Sequence, residues 1–224
     1  MTISVVAFMP MRHSSERVPG KNYRPFNGRP LFHHTVRTMQ AVPQISKIVI
    51  DTDSPTIVEQ CAEFFPEVEC VDRPEHLLGG ETPMTDVLRH DASLFPSEWY
   101  LQTHSTNPLL RPETIVDAIR TFEDAMDQHD SLFSVTRLQT RLYDRDGRAV
   151  NHDPSVLLRT QDLPPLYEEN SNLYLFSADQ IAAGRRMGDA PMMYEIDPLE
   201  AVDIDEEHDF VIAELLQQRL GSQS

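Results

Sequence analysis

The sequence predicts an α/β fold in which a mostly parallel β-sheet is covered by helices on both faces. Short apolar runs alternate with amphipathic helical segments up to about residue 136, the order that is typical of such sheets. The first run, Ile3–Met9, is apolar at nearly every position, as expected of a strand that is buried on both faces. With 224 residues the chain has the length of a single domain, which we assign to residues 1–224.

The elements follow one another in a regular order. The second helix has the clearest start, because Ser54 suits an N-cap and Pro55 suits the first helical turn. The predicted helices are Pro30–Gln40, 54–64, Thr82–Leu94, Pro112–Met126 and Glu206–Leu220. The predicted strands after the first are Lys47–Asp51, Val68–Val71, Trp99–Gln102, Leu132–Thr136 and Asn172–Phe176.

Residues 137–170 interrupt this alternation and are rich in Arg, Asp and Pro. An unstructured excursion of that length is unusual inside one compact domain. We therefore interpret the segment as a protruding arm or a subunit contact. No internal repeat or low-complexity tract accompanies it.

The charge is distributed unevenly along the chain. The formal net charge is −17, which argues against a general nucleic-acid-binding protein. Residues 1–37 nevertheless carry six basic residues against one acid, Glu16, whereas the remainder carries 13 basic and 35 acidic residues. Lys21, one of only two lysines, lies in the basic stretch. This pattern favours a site for a small polyanion, with a chance cluster of surface charge as the alternative.

The composition also bears on the compartment. No apolar run reaches the roughly 18 residues that a membrane-spanning helix needs. Met1–Met9 lacks a basic leader and a small-residue cleavage site, so we interpret it as a strand instead of a signal peptide. We expect Cys61 and Cys70 to be buried, reduced thiols instead of a disulfide. The expected location is the cytoplasm.

Ligands bind parallel sheets beyond the carboxyl ends of the strands. The loop after the first strand, Pro10–Asn22, reads PMRHSSERVPGKN. Its small residues and positive charges can wrap phosphates with backbone N–H groups and cations. It is not a Walker A loop, because Ser15 stands where a Gly is required and Asn22 replaces Ser or Thr. Two further loops should join it at the same edge of the sheet, 51–53 and 103–110.

The same loop resembles the N-terminal signature of the acylneuraminate cytidylyltransferases, which are similar to the enzymes that activate 3-deoxy-octulosonate. That signature reads approximately A-R-x-x-S-K-x-[IL]-P-x-K-N, and the chain matches it at Arg12, Ser15, Pro19, Lys21 and Asn22. Six further landmarks follow in the order of the family and cover nearly the whole chain. They are Ile48–Asp53, Arg73-Pro74 with Leu77, Thr82–Leu88, Thr106–Leu109, Asn170–Phe176, and Asp203–Asp205 with Asp209-Phe210.

The resemblance implies a Rossmann-like sheet of the nucleotide-diphospho-sugar transferase type and a homodimer that exchanges the 137–170 arm. It implies an enzyme that transfers CMP from CTP to the hydroxyl of an acidic keto-acid sugar, such as a nonulosonate, and releases pyrophosphate. Mg²⁺ is the implied cofactor. Neither a nucleic acid nor a membrane is an expected partner.

The resemblance also implies roles for the matching residues. The implied catalytic residues are Arg12, Lys21 and Asp205. Implied contacts to the nucleotide are Arg12, Ser15, Lys21, Asn22, Arg73 and Thr85. Implied contacts to the acceptor are His104, Thr106, Asn107, Glu168 and Asn170. Asp203 and Asp205 are the implied Mg²⁺ ligands, in agreement with the few carboxylates that Mg²⁺ takes besides phosphate oxygens; their alternative is a common polar cap before the last helix.

Several positions depart from the family pattern. Glu16 stands where a Lys is usual, His104 where Gln is common, and Glu168-Glu169 where Arg-Pro is common. These departures fall mostly in the acceptor half of the site. The acceptor is therefore open between a nonulosonate, an octulosonate and a smaller anion whose cationic group meets Glu168 or Glu169.

Two other classes of protein stay open at this point. A GT-A-type glycosyltransferase also combines a Rossmann-like half with an acidic metal motif, but it releases no pyrophosphate and does not need the Arg12–Asn22 loop. A non-catalytic nucleotide-binding paralogue is consistent with Glu16. Pyrophosphate release from CTP separates all three.

Overall fold

A seven-stranded sheet forms the centre of the computed structural model, which describes residues 3–221. The strands of the chain are β1 (Val5–Phe8), β2 (Pro25–Phe26), β3 (Arg29–Pro30), β4 (Ile45–Thr52), β5 (Glu69–Asp72), β6 (Trp99–Gln102), β7 (Ser131–Leu138), β8 (Leu166–Ser177) and β9 (Pro191–Glu195). The α-helices are α1 (Leu31–Gln40), α2 (Pro55–Phe64), α3 (Met84–Leu94), α4 (Pro112–Glu123), α5 (Ala178–Ala182) and α6 (Glu207–Gly221). Single 3₁₀ turns lie at Lys21–Tyr23, Glu75–Leu77 and Thr160–Asp162.

The strand order is β5-β4-β1-β6-β8-β7-β9, and every strand except β8 runs in the same direction. The predicted mostly parallel sheet is therefore confirmed. β1 lies between two parallel neighbours, and all four of its side chains are buried. A continuous apolar run was the expected signature of such a strand.

Helices cover both faces of the sheet. Alternate side chains of β1 point to opposite faces, so β1 contributes to a core on each side. Val5 and Ala7 join a core with residues of α1, α2 and α4. Val6 and Phe8 join a second core with Leu88 of α3 and Ile181 of α5. A third, smaller core packs α6 against the hairpin formed by β2 and β3.

Local signals located the helices well. Ser54 caps α2, since its side chain accepts a hydrogen bond from the Ile57 amide at 3.4 Å. α4 ends at Glu123 instead of Met126, whose side chain is exposed. No helix of residues 3–221 is long and apolar enough to cross a membrane. Cys61 and Cys70 are free thiols, but only Cys61 is fully buried.

Residues 137–170 are only partly irregular. β7 and β8 extend into the segment and pair there, with Leu138 opposite Leu166. Between them lie one 3₁₀ turn and several exposed apolar side chains, including Leu157 at 92% exposure. The function of the segment as a subunit contact stays a prediction.

β8 contains a bulge that the sequence did not predict. Phe133 of β7 is paired with Tyr174, yet Val135, two residues later, is paired with Glu169. The shift in register leaves extra residues in β8, and one of them, Ser171, adopts a left-handed conformation with φ of 59°. A bulge of this kind redirects a side chain without ending the strand.

Three charged side chains form a buried cluster beside the sheet. The Arg73 Nε donates a hydrogen bond to Asp51, and both side chains are almost completely buried. Asp91 of α3 is also fully buried. Asp51 Oδ2 and both carboxyl oxygens of Asp91 lack a hydrogen-bond partner within residues 3–221. A proton shared by the two carboxyl groups would pair Asp51 Oδ2 with one of the Asp91 oxygens. Burial, and then the charge of Asp51, raises the pKa of Asp91 to about 8.

The substitution Asp91→Asn should remove this titration. A carboxyl group whose pKa is raised on folding binds a proton in the folded state that the unfolded state has lost, so wild-type stability falls as pH rises from about 4 to 8. We expect the variant to be more stable than wild type by about 1–3 kcal/mol at pH 8, with the difference absent at pH 4. Urea unfolding across this range measures it. Asp86→Asn, on the same helix but partly exposed, is the control. A difference that does not change with pH would contradict the shared proton.

Candidate active site

A cleft lies at the carboxyl end of β1 and consists of two adjoining cavities. The first-loop cavity has a volume of about 420 Å³ and is lined by residues 10–12, 14–17, 21–22, 80–81 and 104–106. The acceptor-side cavity, so named for the acceptor residues predicted there, has a volume of about 380 Å³. It is lined by Lys21, Met84, His104, Thr106, Asn107, Ser171, Arg186, Asp203 and Asp205. Lys21, His104 and Thr106 line both cavities and mark their junction.

The first loop is held in shape mainly through Asn22. Its amide nitrogen donates to the Arg12 carbonyl at 2.9 Å, and its amide oxygen accepts from Ser105 Oγ at 2.7 Å. Gly20, with φ of 66°, turns the chain just before this point. Ser15 Oγ accepts a hydrogen bond from the Val18 amide at 3.4 Å. Asn22 and Ser15 thus shape the loop, while their implied contacts to the nucleotide stay predictions.

The two predicted catalytic cations differ in their surroundings. Lys21 is buried, its Nζ donates to the Ile204 carbonyl, and it lies 3.7 Å from Asp205 Oδ1. Burial lowers the pKa of Lys21, and the charges of Asp205 and Asp203 only partly oppose this. Arg12 is exposed to the first-loop cavity, and its guanidinium has no ion-pair partner within residues 3–221. Arg12 can therefore meet an anionic ligand without first breaking an ion pair.

The two predicted metal ligands line the same cavity. Asp205 pairs with Arg17 at 2.8 Å as well as with Lys21. Asp203 Oδ1 is buried without a hydrogen-bond partner in the described part of the chain, and burial raises the pKa of this carboxyl group. Residues 3–221 contain no group of three or more His, Cys, Asp or Glu side chains arranged to bind a metal. A pair of carboxylates with one free oxygen fits Mg²⁺, which completes its shell with water and phosphate oxygens.

His104 is the predicted acceptor residue at the junction. Its Nε2 lies 3.1 Å from Gln102 Nε2, while Gln102 Oε1 accepts from Arg186 Nη1 at 2.9 Å. Because Arg186 donates to Gln102 Oε1, the nitrogen of the same side-chain amide faces His104 and donates to its Nε2. A neutral imidazole that accepts at Nε2 carries its proton on Nδ1. Burial, followed by the charges of Arg186 and Lys21, lowers the pKa of His104 to about 4. His104 is therefore a neutral hydrogen-bond donor.

The loop that contains His104 also positions the metal-ligand segment. The Ile204 amide donates to the Thr106 carbonyl at 2.9 Å, and Asn107 Nδ2 donates to the Val202 carbonyl at 3.4 Å. Asn107 Oδ1 is buried without a partner among the described residues. Thr106 and Asn107 thus line the cleft, while their contacts to the acceptor stay predictions.

Four predicted site residues do not line either cavity. Arg73 is buried in its ion pair with Asp51, and Thr85 lies in the first turn of α3, next to Met84, which does line the cleft. Glu168 is exposed on β8. Asn170 uses its amide on β7, accepting from Ser134 Oγ at 2.5 Å and donating to Thr136 Oγ1 at 3.0 Å. Their substrate contacts stay predictions.

Sequence reasoning missed other lining residues. Arg186 lines the acceptor-side cavity but belongs to no landmark of the family pattern, and it lies 165 positions after Lys21. Ser171 falls inside a landmark, but its entry into the cavity depends on the β8 bulge. Ser171 has a left-handed backbone conformation, which Gly adopts more readily than other residues.

Together, the basic loop, the paired carboxylates and the strand-end cleft define an α/β enzyme that binds a nucleotide. The family model described as Cytidylyltransferase matches residues 6–221. The chain belongs to the cytidylyltransferase family and is a nucleotidyltransferase that depends on CTP. The family-level expectation from the sequence is thereby confirmed.

Individual relatives agree with this assignment. The CMP-N,N'-diacetyllegionaminic acid synthase of Legionella pneumophila is 28% identical, over 96% of both chains. The 8-amino-3,8-dideoxy-manno-octulosonate cytidylyltransferase of Shewanella woodyi is 25% identical, over 85% of this chain and 71% of that protein. A solved CMP:2-keto-3-deoxy-manno-octonic acid synthetase complexed with CTP is similar in fold, with a TM-score of 0.71 at 13% identity, over 97% of this chain and 99% of the other.

The state of His104 can be measured directly. We expect its ring to titrate near pH 4, because burial and two nearby cations disfavour the imidazolium ion, and to carry its proton on Nδ1 at pH 7. Nitrogen-15 NMR of the ring measures both, and the spectrum of His104→Gln assigns the signal. A midpoint near 6.5, or a proton on Nε2, would be incompatible with the hydrogen-bond chain from Arg186.

Proposed function

We propose that this protein transfers CMP from CTP to the hydroxyl group of an acidic keto-acid sugar and releases pyrophosphate. The junction between the two cavities is the observation that carries the proposal, because it allows a nucleotide on one side to meet an acceptor on the other. The relatives named above are a CMP-legionaminic acid synthase and an octulosonate cytidylyltransferase, and we transfer that class of acceptor to this chain. A glycosyltransferase, a non-catalytic paralogue and a smaller acceptor are not favoured by these comparisons.

In this proposal the triphosphate occupies the first-loop cavity. Arg12 and Lys21 neutralise part of its negative charge, and the loop lines the cavity around it. The enzyme contributes mainly by positioning and by charge neutralisation, as is usual for phosphoryl transfer. Glu16 also lines this cavity but is exposed, so solvent weakens its repulsion of the phosphates.

Mg²⁺ is the proposed cofactor, held by Asp203 and Asp205. Two observations support this choice: Asp203 Oδ1 has no hydrogen-bond partner among the described residues, and both carboxylates line the acceptor-side cavity. The ion would neutralise phosphate charge when bound. Arg17 and Lys21 hold Asp205 at 2.8 and 3.7 Å, which orients its carboxylate before a ligand enters.

The acceptor occupies the other cavity. Its hydroxyl oxygen forms a bond to the α-phosphorus and releases its proton to solvent, while the bond from that phosphorus to the pyrophosphate oxygen breaks and pyrophosphate leaves. His104 donates a hydrogen bond from Nδ1 at the junction, and Thr106 and Asn107 supply polar groups alongside it. The alternative of a small acceptor with a cationic group depended on Glu168 and Glu169, and neither lines the cavity.

We further propose that the protein is a cytoplasmic homodimer in which residues 137–170 contact the partner. The exposed apolar side chains of this segment support the assignment, since burial against a second chain would remove them from water. Light scattering of the full chain measures the assembly state. A monomer at micromolar concentration would count against it.

The reaction is tested by measuring pyrophosphate from CTP, Mg²⁺ and a panel of nonulosonates and octulosonates, with ATP, GTP and UTP as alternative donors. We expect release with CTP and at least one acidic sugar. CTP binding without pyrophosphate from any acceptor would favour the non-catalytic paralogue. Cleavage of a supplied CMP-sugar or UDP-sugar would favour the glycosyltransferase.

The two lysines provide a matched pair of variants. Lys21→Met removes the buried cation at the junction and should lower kcat/KM by about 10²–10³. Lys47→Met removes an exposed cation paired with Glu69 on the far strands and should leave the rate unchanged. Circular dichroism confirms that both variants fold. Equal rates for the two variants would exclude Lys21 from the reaction.

A further inference from the structure

Arg186 is the cation of the acceptor-side cavity that the family pattern did not predict. It lies in the segment between α5 and β9 and lines the cavity. Its guanidinium carbon lies 3.9 Å from the centroid of the Tyr174 ring, and its Nη1 donates to Gln102 Oε1 at 2.9 Å. Tyr174 and Gln102 are both fully buried. Two rigid neighbours therefore fix the orientation of the guanidinium.

The described residues supply no counter-ion for Arg186. Within residues 3–221, no carboxylate lies within ion-pair distance of its guanidinium, and Nη1 is its only nitrogen with a hydrogen-bond partner. The adjacent Arg185, by contrast, pairs with Asp189 at 2.9 Å. The chain has 36 acidic and 19 basic residues, yet none of the described acids pairs with this partly buried arginine. Its charge is therefore available to an anion that enters the cavity.

The backbone around Arg186 is held as firmly as its side chain. Asp130 Oδ2 accepts hydrogen bonds from the Asp189 and Ala190 amides at 2.7 and 3.1 Å. The Gly188 amide donates to Ser131 Oγ at 2.9 Å, and a Cβ atom at Gly188 would lie 2.3 Å from the Asp130 carboxylate. The segment is thus fixed to the start of β7. A cation that is positioned before binding loses little conformational freedom when its ligand arrives.

The other cation of this cavity is already engaged. Lys21 donates to the Ile204 carbonyl and pairs with Asp205. Arg186 keeps Nε and Nη2 without a protein partner in the described part of the chain, and two parallel N–H groups match the two oxygens of a carboxylate. We propose that Arg186 binds the carboxylate of the acceptor sugar and makes the enzyme selective for acidic acceptors. This inference rests on the proposed CMP transfer.

The position of Arg186 also suits the geometry of the reaction. In a 2-keto-acid sugar, the anomeric hydroxyl is attached to the carbon next to the carboxylate. Gln102 connects Arg186 to His104 through contacts of 2.9 and 3.1 Å. A carboxylate held at Arg186 therefore directs the neighbouring hydroxyl towards His104, where the two cavities meet.

The test compares an acidic sugar that supports pyrophosphate release with the carboxamide of the same sugar. Arg186→Gln should lower kcat/KM for the acid by about 10- to 100-fold, the loss expected for one charge-assisted contact, and leave the KM for CTP unchanged. It should leave the activity with the carboxamide nearly unaffected, so that the preference of wild type for the acid disappears. Arg185→Gln is the matched control and should behave as wild type. Arg186→Lys keeps the charge and should recover part of the preference.

Equal losses for the acid and the carboxamide, or a changed KM for CTP alone, would overturn the assignment. Thermal unfolding identifies a variant that has lost its fold. If Arg186→Gln does not fold, the ratio of kcat/KM for the acid to kcat/KM for the carboxamide is measured with Arg186→Lys instead. If wild type releases no pyrophosphate with any acidic sugar, the proposed reaction fails, and saturation-transfer NMR tests Arg186 separately. Binding of the acid to wild type and Arg185→Gln, but not to Arg186→Gln, would support it. Equal binding to all three, or none to wild type, would contradict it.

Discussion

The contact between Lys21 and the Ile204–Asp205 segment is the interaction on which the cleft depends. It joins the loop after the first strand to a segment that lies more than 180 residues later in the chain. The Ile204 amide also bonds to Thr106, so three separate loops meet at one point. The Ile204 carbonyl accepts a hydrogen bond from the Lys21 ammonium group and the Asp205 carboxylate pairs with it, so these two contacts offset the cost of burying its charge. Without that meeting, the basic loop and the paired acids would lie on separate parts of the surface.

The same cleft explains how a strongly acidic protein can bind anionic substrates. Several of its cations outside the site, such as Lys47 and Arg185, are paired with nearby acids on the surface. Arg12 and Arg186 instead face the two cavities without an acidic partner in the described part of the chain. A local field can attract an anion even where the net charge is negative, because solvent screens distant charges more than near ones. In the proposed reaction, each of the two arginines would face one of the two anionic substrates.

Much of the fold could be predicted because its signals are local. Trp99–Gln102 was predicted with the observed limits, and the start of α2 followed from Ser54 and Pro55. The elements that were missed are short or depend on distant partners. α5 has five residues, and β9 is stabilised by its pairing with β7, about 60 residues earlier. β8 is longer than predicted because its exposed first half pairs with β7 despite carrying polar residues.

The sequence by itself determined the family, the parallel sheet and the residues of the first loop, because matched motifs and apolar runs are properties of the chain order. Only the tertiary structure decided which of the predicted residues meet in the cleft. It brought Asp203, Asp205, His104 and Lys21 together, and it kept Arg73, Thr85, Glu168 and Asn170 out of the lining. It also added Arg186, which contacts Gln102 of β6 and Tyr174 of β8. Whether a charged side chain is paired or free depends on groups that are distant in sequence, and a motif does not contain that information.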